Sequence, residues 1–95
     1  MKIEKYPEFQ KELDDILDYF ALDSLQRAIK FKIELQEQIS KIPDMPYAHR
    51  RSIHFNNEQA RDLIFKGYTI TYFIYEDKIV ILGILKYKET FLIKS

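Results

Sequence analysis

Arg61-Asp62-Leu63-Ile64-Phe65-Lys66-Gly67-Tyr68-Thr69-Ile70-Thr71-Tyr72-Phe73-Ile74-Tyr75 is the stretch whose reading decides the fold. Its two halves are rich in β-branched and aromatic residues, which fit a pleated, half-buried surface. Between them stands Lys66-Gly67, and glycine supplies the left-handed backbone that a tight turn needs. The spacing predicts a strand over 61–65, a turn, and a strand over 68–75. Glu76-Asp77 then reads as a two-residue hairpin loop, and Ile79-Val80-Ile81-Leu82-Gly83-Ile84-Leu85 as a strand apolar on both faces, covered on both sides. Lys86-Tyr87-Lys88 leaves the core. The second half of the chain is therefore a three-stranded antiparallel meander.

Upstream the period changes from strand to helix. Phe9, Leu13, Ile16, Leu17 and Phe20 fall on one helical face. Pro7 suits the first turn of that helix, and Lys2 to Tyr6 reads as a short first strand. Asp23 is expected to begin and cap a second helix, with Gln26 three residues on. Ala28, Phe31, Leu35, Ile39 and Ile42 make its stripe, and Pro43 and Pro46 stop it. With so short a connection, the helices are expected to fold back as an antiparallel hairpin. A second line on helix two, Leu25, Ile29 and Ile33, lies about 100° around the axis. Two readings of it stay open: helix one covers it, or it faces a partner. Residues 44–59 read as polar and irregular. The order is α+β, a strand, a helical hairpin and a meander, with the helices packed on one sheet face in a single domain over 1–95.

The composition bounds what such a domain does. The chain has 95 residues, 15 Lys+Arg, 15 Asp+Glu, a net charge of +0 and no Cys. Without cysteine there is no disulfide framework and no thiolate-held metal, which fits a reducing cytosol. Neutrality argues against a general nucleic-acid coat or an anionic-membrane binder. It conceals a gradient. Residues 1–45 hold seven basic and ten acidic residues, and residues 46–95 hold eight and five. An anionic partner is therefore expected at the second half. The start of the chain has no apolar core of a secretory signal, and no apolar run is long enough to span a bilayer, so a cytoplasmic protein is expected.

Enzyme signatures are missing. There is no phosphate loop, no dinucleotide fingerprint, no nucleophile elbow and no zincin motif, and no cofactor is expected. His49 and His54 lie five apart in a loop without an acidic neighbour, so no metal site is expected. Asp14, Asp15 and Asp18 read as the solvated face of helix one. The informative cluster is cationic: Arg50, Arg51, Arg61, Lys66, Lys86 and Lys88. Arg61 starts one strand while Lys86 and Lys88 close another, so they are expected to converge on the open sheet face. Convergent cations hold phosphate and stabilise developing negative charge. Tyr47, Tyr68 or Tyr87 would then stack on a base.

Arg61 through Tyr72, with its Arg-led strand, Gly-Tyr turn and following Tyr, resembles the second half of the RelE/ParE toxin superfamily. The apolar strand and basic tail from Ile79 to Lys88 continue the likeness, and Ala28, Phe31, Leu35, Ile39 and Ile42 match the family's second-helix spacing. The resemblance implies a plasmid-stabilisation type of growth-inhibiting toxin in a bacterial type II toxin–antitoxin module, held inactive by a cognate antitoxin. RelE-like members cut mRNA on the ribosome, whereas ParE-like members poison DNA gyrase. The nucleases often read Gly-Tyr-Arg where this chain has Gly67-Tyr68-Thr69, and their late Tyr is matched by Phe91. Together with neutrality, these departures favour a ParE-like, non-catalytic toxin binding gyrase. The alternatives are a ribosome-dependent nuclease using Arg61, Lys86, Lys88 and Tyr87 or His54, or an interaction protein whose toxicity has decayed. Leu25, Ile29 and Ile33 are then the expected antitoxin-binding residues. Arg50, Arg51, Lys86 and Lys88 are the expected target-binding ones.

Overall fold

The computed structural model describes residues 1–86. Its elements are β1 (Lys2–Lys5), α1 (Pro7–Asp23), α2 (Leu25–Ser40), a 3-10 turn (Ile42–Asp44), β2 (Arg50–Arg51), β3 (Ala60–Phe65), β4 (Tyr68–Ile74) and β5 (Lys78–Lys86). The strands form one sheet in the order β1-β5-β4-β3-β2. The meander is antiparallel, while β1 runs parallel to β5 with Ile3 opposite Ile79. Only a crossover connection can deliver a parallel neighbour, and the helical hairpin is that crossover.

Two expected details are corrected. Asp23 does not begin the second helix: it closes α1, and Ser24 alone joins the two helices. Ser24 is extended, its N–H reaches Phe20 O at 2.9 Å, and its Oγ accepts from Arg27 N at 3.2 Å. One serine thus ends one helix and caps the next. Residues 44–59 are not wholly irregular. Arg50 and Arg51 pair with Asp62 and Arg61, adding a short edge strand to the meander.

The core lies between the hairpin and the sheet. Phe9, Leu13 and Phe20 come from α1, and Ala28, Phe31, Leu35 and Ile39 from α2. From the sheet come Leu63, Tyr68, Ile70, Tyr72, Ile74, Ile79, Ile81 and Ile84. Phe31 is its aromatic hub, packed edge-on against Phe20, Phe65 and Tyr68 at 5.1, 5.3 and 5.5 Å. In β5 the core residues are spaced 2 and then 3 apart, which a regular strand forbids. The reason is a bulge. Thr71 faces Gly83 while Tyr72 faces Ile81, leaving Leu82 as the extra residue. At the β3–β4 turn, Lys66 and Gly67 both take positive φ, 49° and 85°. That pair matches the right-handed twist of a hairpin.

Candidate partner-binding surfaces

The two helices turn similar apolar stripes inward and different faces outward. On α2, Leu25, Ile29 and Ile33 are 65%, 49% and 58% exposed, so α1 does not cover them. Gln26, Ile29, Lys30, Ile33 and Glu34 line a shallow groove of about 360 Å³ there. Basic side chains accompany the ridge: α2 carries Arg27, Lys30 and Lys32 against Glu34 and Glu37. Arg27 lies over the Phe20 ring at 4.3 Å, and Glu34 is held by Lys66, whose ammonium keeps that carboxyl below its ordinary range. On α1, Lys11 stands against Glu8, Glu12, Asp14, Asp15, Asp18 and Asp23.

At the β2 end of the sheet, the loop is clasped onto the strands by polar contacts. Asp62 is buried. Its Oδ1 accepts from Thr71 Oγ1 at 2.7 Å, and its Oδ2 accepts from Ile53 N at 3.3 Å and from the Arg50 guanidinium at 3.4 Å. A carboxylate out of water needs such partners, so Arg50 acts first as the counter-charge of Asp62. Arg51 is exposed and donates to Asn56 Oδ1 at 3.0 Å. Arg61 donates to Glu58 O at 2.9 Å and to His49 O at 3.2 Å, and its guanidinium lies 4.9 Å from the Tyr47 ring. Tyr72 donates to Pro46 O at 2.6 Å, with His49 edge-on at 6.0 Å. Burial pushes the Tyr72 hydroxyl well above its ordinary range, against the pull of Arg61, and burial lowers His49. Tyr72 is therefore a fixed donor. The backbone N–H of His54 reaches Ser52 Oγ at 3.1 Å.

The expected convergence of cations does not occur among the described residues. Arg61 lies opposite Tyr72, which lies opposite Ile81, whereas Lys86 lies opposite Tyr68. The four steps along β4 from Tyr72 to Tyr68 place these cations about 13 Å apart along the sheet. Hairpin register is the cause: the start of β3 and the end of β5 are at opposite ends of the meander. Nor does the structure free the expected stacking rings. Tyr68 is buried in the aromatic core, and Tyr47 already carries Arg61. Tyr87, Lys88 and Phe91 lie outside the described residues.

Asp62 and Glu12 escaped the sequence reading. An aspartate just before the apolar run Leu63-Ile64-Phe65 was the available signal for the first, since strands are poor in Asp. Glu12 reaches across to accept Ile84 N–H at 3.0 Å, a contact between residues 72 apart that no local pattern contains. No group of His, Cys, Asp or Glu among the described residues is arranged to hold a metal ion. No described helix is long and apolar enough to cross a membrane.

The backbone is similar to that of the chromosomal ParDE toxin–antitoxin system from P. aeruginosa, with a TM-score of 0.76 at 18% identity over 93% of this chain and 97% of that one. The conserved hypothetical protein HP0894 from Helicobacter pylori, a solution structure, shares the fold with a TM-score of 0.53 at 17% identity, over 94% of this chain and 97% of that one. No curated protein matches the sequence. The family model for the ParE toxin of type II toxin–antitoxin systems matches residues 3–91. The helical-hairpin crossover, the meander and this match together place the chain in the ParE toxin family of type II toxin–antitoxin modules.

Proposed function

We propose that this protein is a cytoplasmic toxin that arrests growth by binding DNA gyrase, and that a cognate antitoxin silences it by occupying the outer face of α2. The observation that carries the reading is the ridge of Leu25, Ile29 and Ile33, exposed in water on a helix whose core stripe is separately satisfied. Such a ridge fits an amphipathic partner helix, and Arg27, Lys30 and Lys32 beside it fit an acidic one. Arg50, Arg51, Lys86 and Lys88 belong in this reading to the target surface. The described members, Arg50, Arg51 and Lys86, are all exposed.

The nuclease alternative needs Arg61 and Lys86 at one phosphate, and their separation of about 13 Å along the sheet counts against it. With Tyr72 held neutral and engaged with Pro46, that ring offers no general base.

Purified toxin is expected to inhibit supercoiling by gyrase, and no inhibition at saturating toxin would remove gyrase as the target. Discrete cuts in translated mRNA after induction would establish the nuclease instead. For the antitoxin, Ile29→Asp is expected to weaken the complex with the protein encoded beside the toxin by about tenfold or more, since it places a charge in an apolar contact. Its thermal unfolding should stay that of the wild type, because Ile29 is outside the core. A folded variant that binds normally would take the antitoxin off α2.

A further inference from the structure

A groove of about 500 Å³ lies where β1 ends, lined by Tyr6, Glu8, Glu12, Phe55, Phe73, Tyr75 and Leu82. Its walls are aromatic. Phe55 and Phe73 stand edge-on at 5.5 Å, Phe73 and Tyr75 lie 6.2 Å apart, and Tyr6 and Tyr75 are each about half exposed. Its rim is acidic, and no cation pairs with Glu8 or Glu12 among the described residues. Ring faces attract cations, and Lys78 already lies 5.7 Å over Tyr75.

Beyond the end of β1, no described strand pairs with the neighbouring edge of β5. β1 ends at Lys5 opposite Ile81, so this stretch of edge runs from Leu82 to Lys86. The Ile84 N–H on this edge is met by the Glu12 carboxylate at 3.0 Å. A second hollow, of about 370 Å³, shares Glu12 with the first and is lined also by Asp15, Tyr19 and Lys86. A strand edge without a described strand neighbour, beside a trough, is suited to an extended chain.

We propose that this trough is a docking site for an extended, basic segment of a partner protein. The segment lies along the edge of β5, inserts an arginine or lysine side chain among Tyr6, Phe73 and Tyr75, and sets its charge against Glu8 and Glu12. An acidic antitoxin segment is repelled here by the same carboxylates and favoured on α2. The two surfaces therefore select partners of opposite charge. The proposal stands on α1 and the sheet edge and does not rest on the gyrase reading.

A fluorescein-labelled Val-Arg-Val-Arg-Val peptide, with a Val-Glu-Val-Glu-Val peptide as its counterpart, provides the test by fluorescence anisotropy. The protein is expected to bind the arginine peptide alone, with affinity falling as salt is raised to about 0.5 M. Glu8→Gln combined with Glu12→Gln should weaken binding by about tenfold or more, and Tyr75→Ala should weaken it too. Glutamine keeps an acceptor for Ile84 N–H, and unfolding in urea verifies that the double variant is folded. Equal binding of the two peptides, or undiminished affinity in the double variant, overturns the proposal. Self-association of the protein alone, lost in that variant, would assign the trough to a second copy and overturn it equally.

Discussion

α1 and α2 lie side by side, joined by one residue, and they solve the same inward problem in the same way. Each turns an aromatic and aliphatic stripe onto the sheet: Phe9, Leu13 and Phe20 from one, Phe31, Leu35 and Ile39 from the other. Outward they diverge. α2 presents an apolar ridge flanked by cations, and α1 presents mostly carboxylates, with Tyr19 and Leu22 exposed near its C-terminal end. Stability needs the inner stripes and gains nothing from the ridge, because apolar surface left in water costs free energy on the scale of about 25 cal/mol per Å². A monomer selected only for folding would carry polar residues at Leu25, Ile29 and Ile33. The difference between the helices separates the residues that serve the fold from those that the proposed function assigns to a partner.

The largest effect that sharpens this contrast lies within α2 itself. Leu35→Ala removes a wholly buried side chain and is expected to cost about 3 kcal/mol in urea unfolding. Ile33→Ala, two residues away on the ridge, should change stability by no more than about 0.5 kcal/mol while weakening antitoxin binding. A stability loss at Ile33 similar to that at Leu35 would show that the ridge is packed against something in the free toxin, and the contrast would break.

Next in size comes the joint. Ser24→Ala removes the acceptor for Arg27 N–H and is expected to cost about 1 kcal/mol. Because Ser24 ends both helices, the loss should appear as one cooperative transition at lower urea, with both helices melting together. Separate transitions for the helices would show that the hairpin does not fold as a unit.

Much of this architecture was legible because it is written locally. Period-2 and period-3.6 patterns located the meander and the hairpin, and Lys66-Gly67 located the turn. The misses share a cause. Asp23 looked like a cap because it is a good capping residue near a helix start, but Ser24 wins with an extended backbone and its own hydroxyl. β2 went unread because two polar residues carry no alternation, and only the partner strand makes them a strand. The bulge at Leu82 was invisible within an apolar run, where every residue fits either face. Cation convergence failed for a similar reason: spacing along the chain said nothing of which sheet end each residue reaches. For the candidate site, the sequence marked the second line on α2 but left open whether α1 covers it. That is decided by helix placement, a tertiary property.

The smallest effect concerns the acidic face of α1. Burial raises the Glu12 carboxyl above 4.5, and Glu8 and Asp15 push the same way, while the hydrogen bond from Ile84 N–H opposes them. A carboxyl raised in the folded state favours the native protein when protonated. Its contribution is fully present below the unfolded value of 4.5 and is lost as pH rises through the higher folded value. Wild-type stability should therefore fall across that window relative to Glu12→Gln, whose carboxamide keeps the acceptor and does not ionise. Urea midpoints of both proteins between about pH 4 and pH 7 measure the difference. Adding the arginine peptide should narrow it at the upper end, because a bound cation stabilises the ionised form that burial disfavours. The outer face of α2, with its carboxylate Glu34 lowered by Lys66, should show the opposite slope, losing stability as pH falls below 4.5. If Glu12→Gln instead tracks the wild type at every pH, with and without peptide, the carboxylates of α1 are as indifferent to their surroundings as an ordinary solvated face. The electrostatic half of the contrast between the helices then fails, while the apolar half on α2 stands.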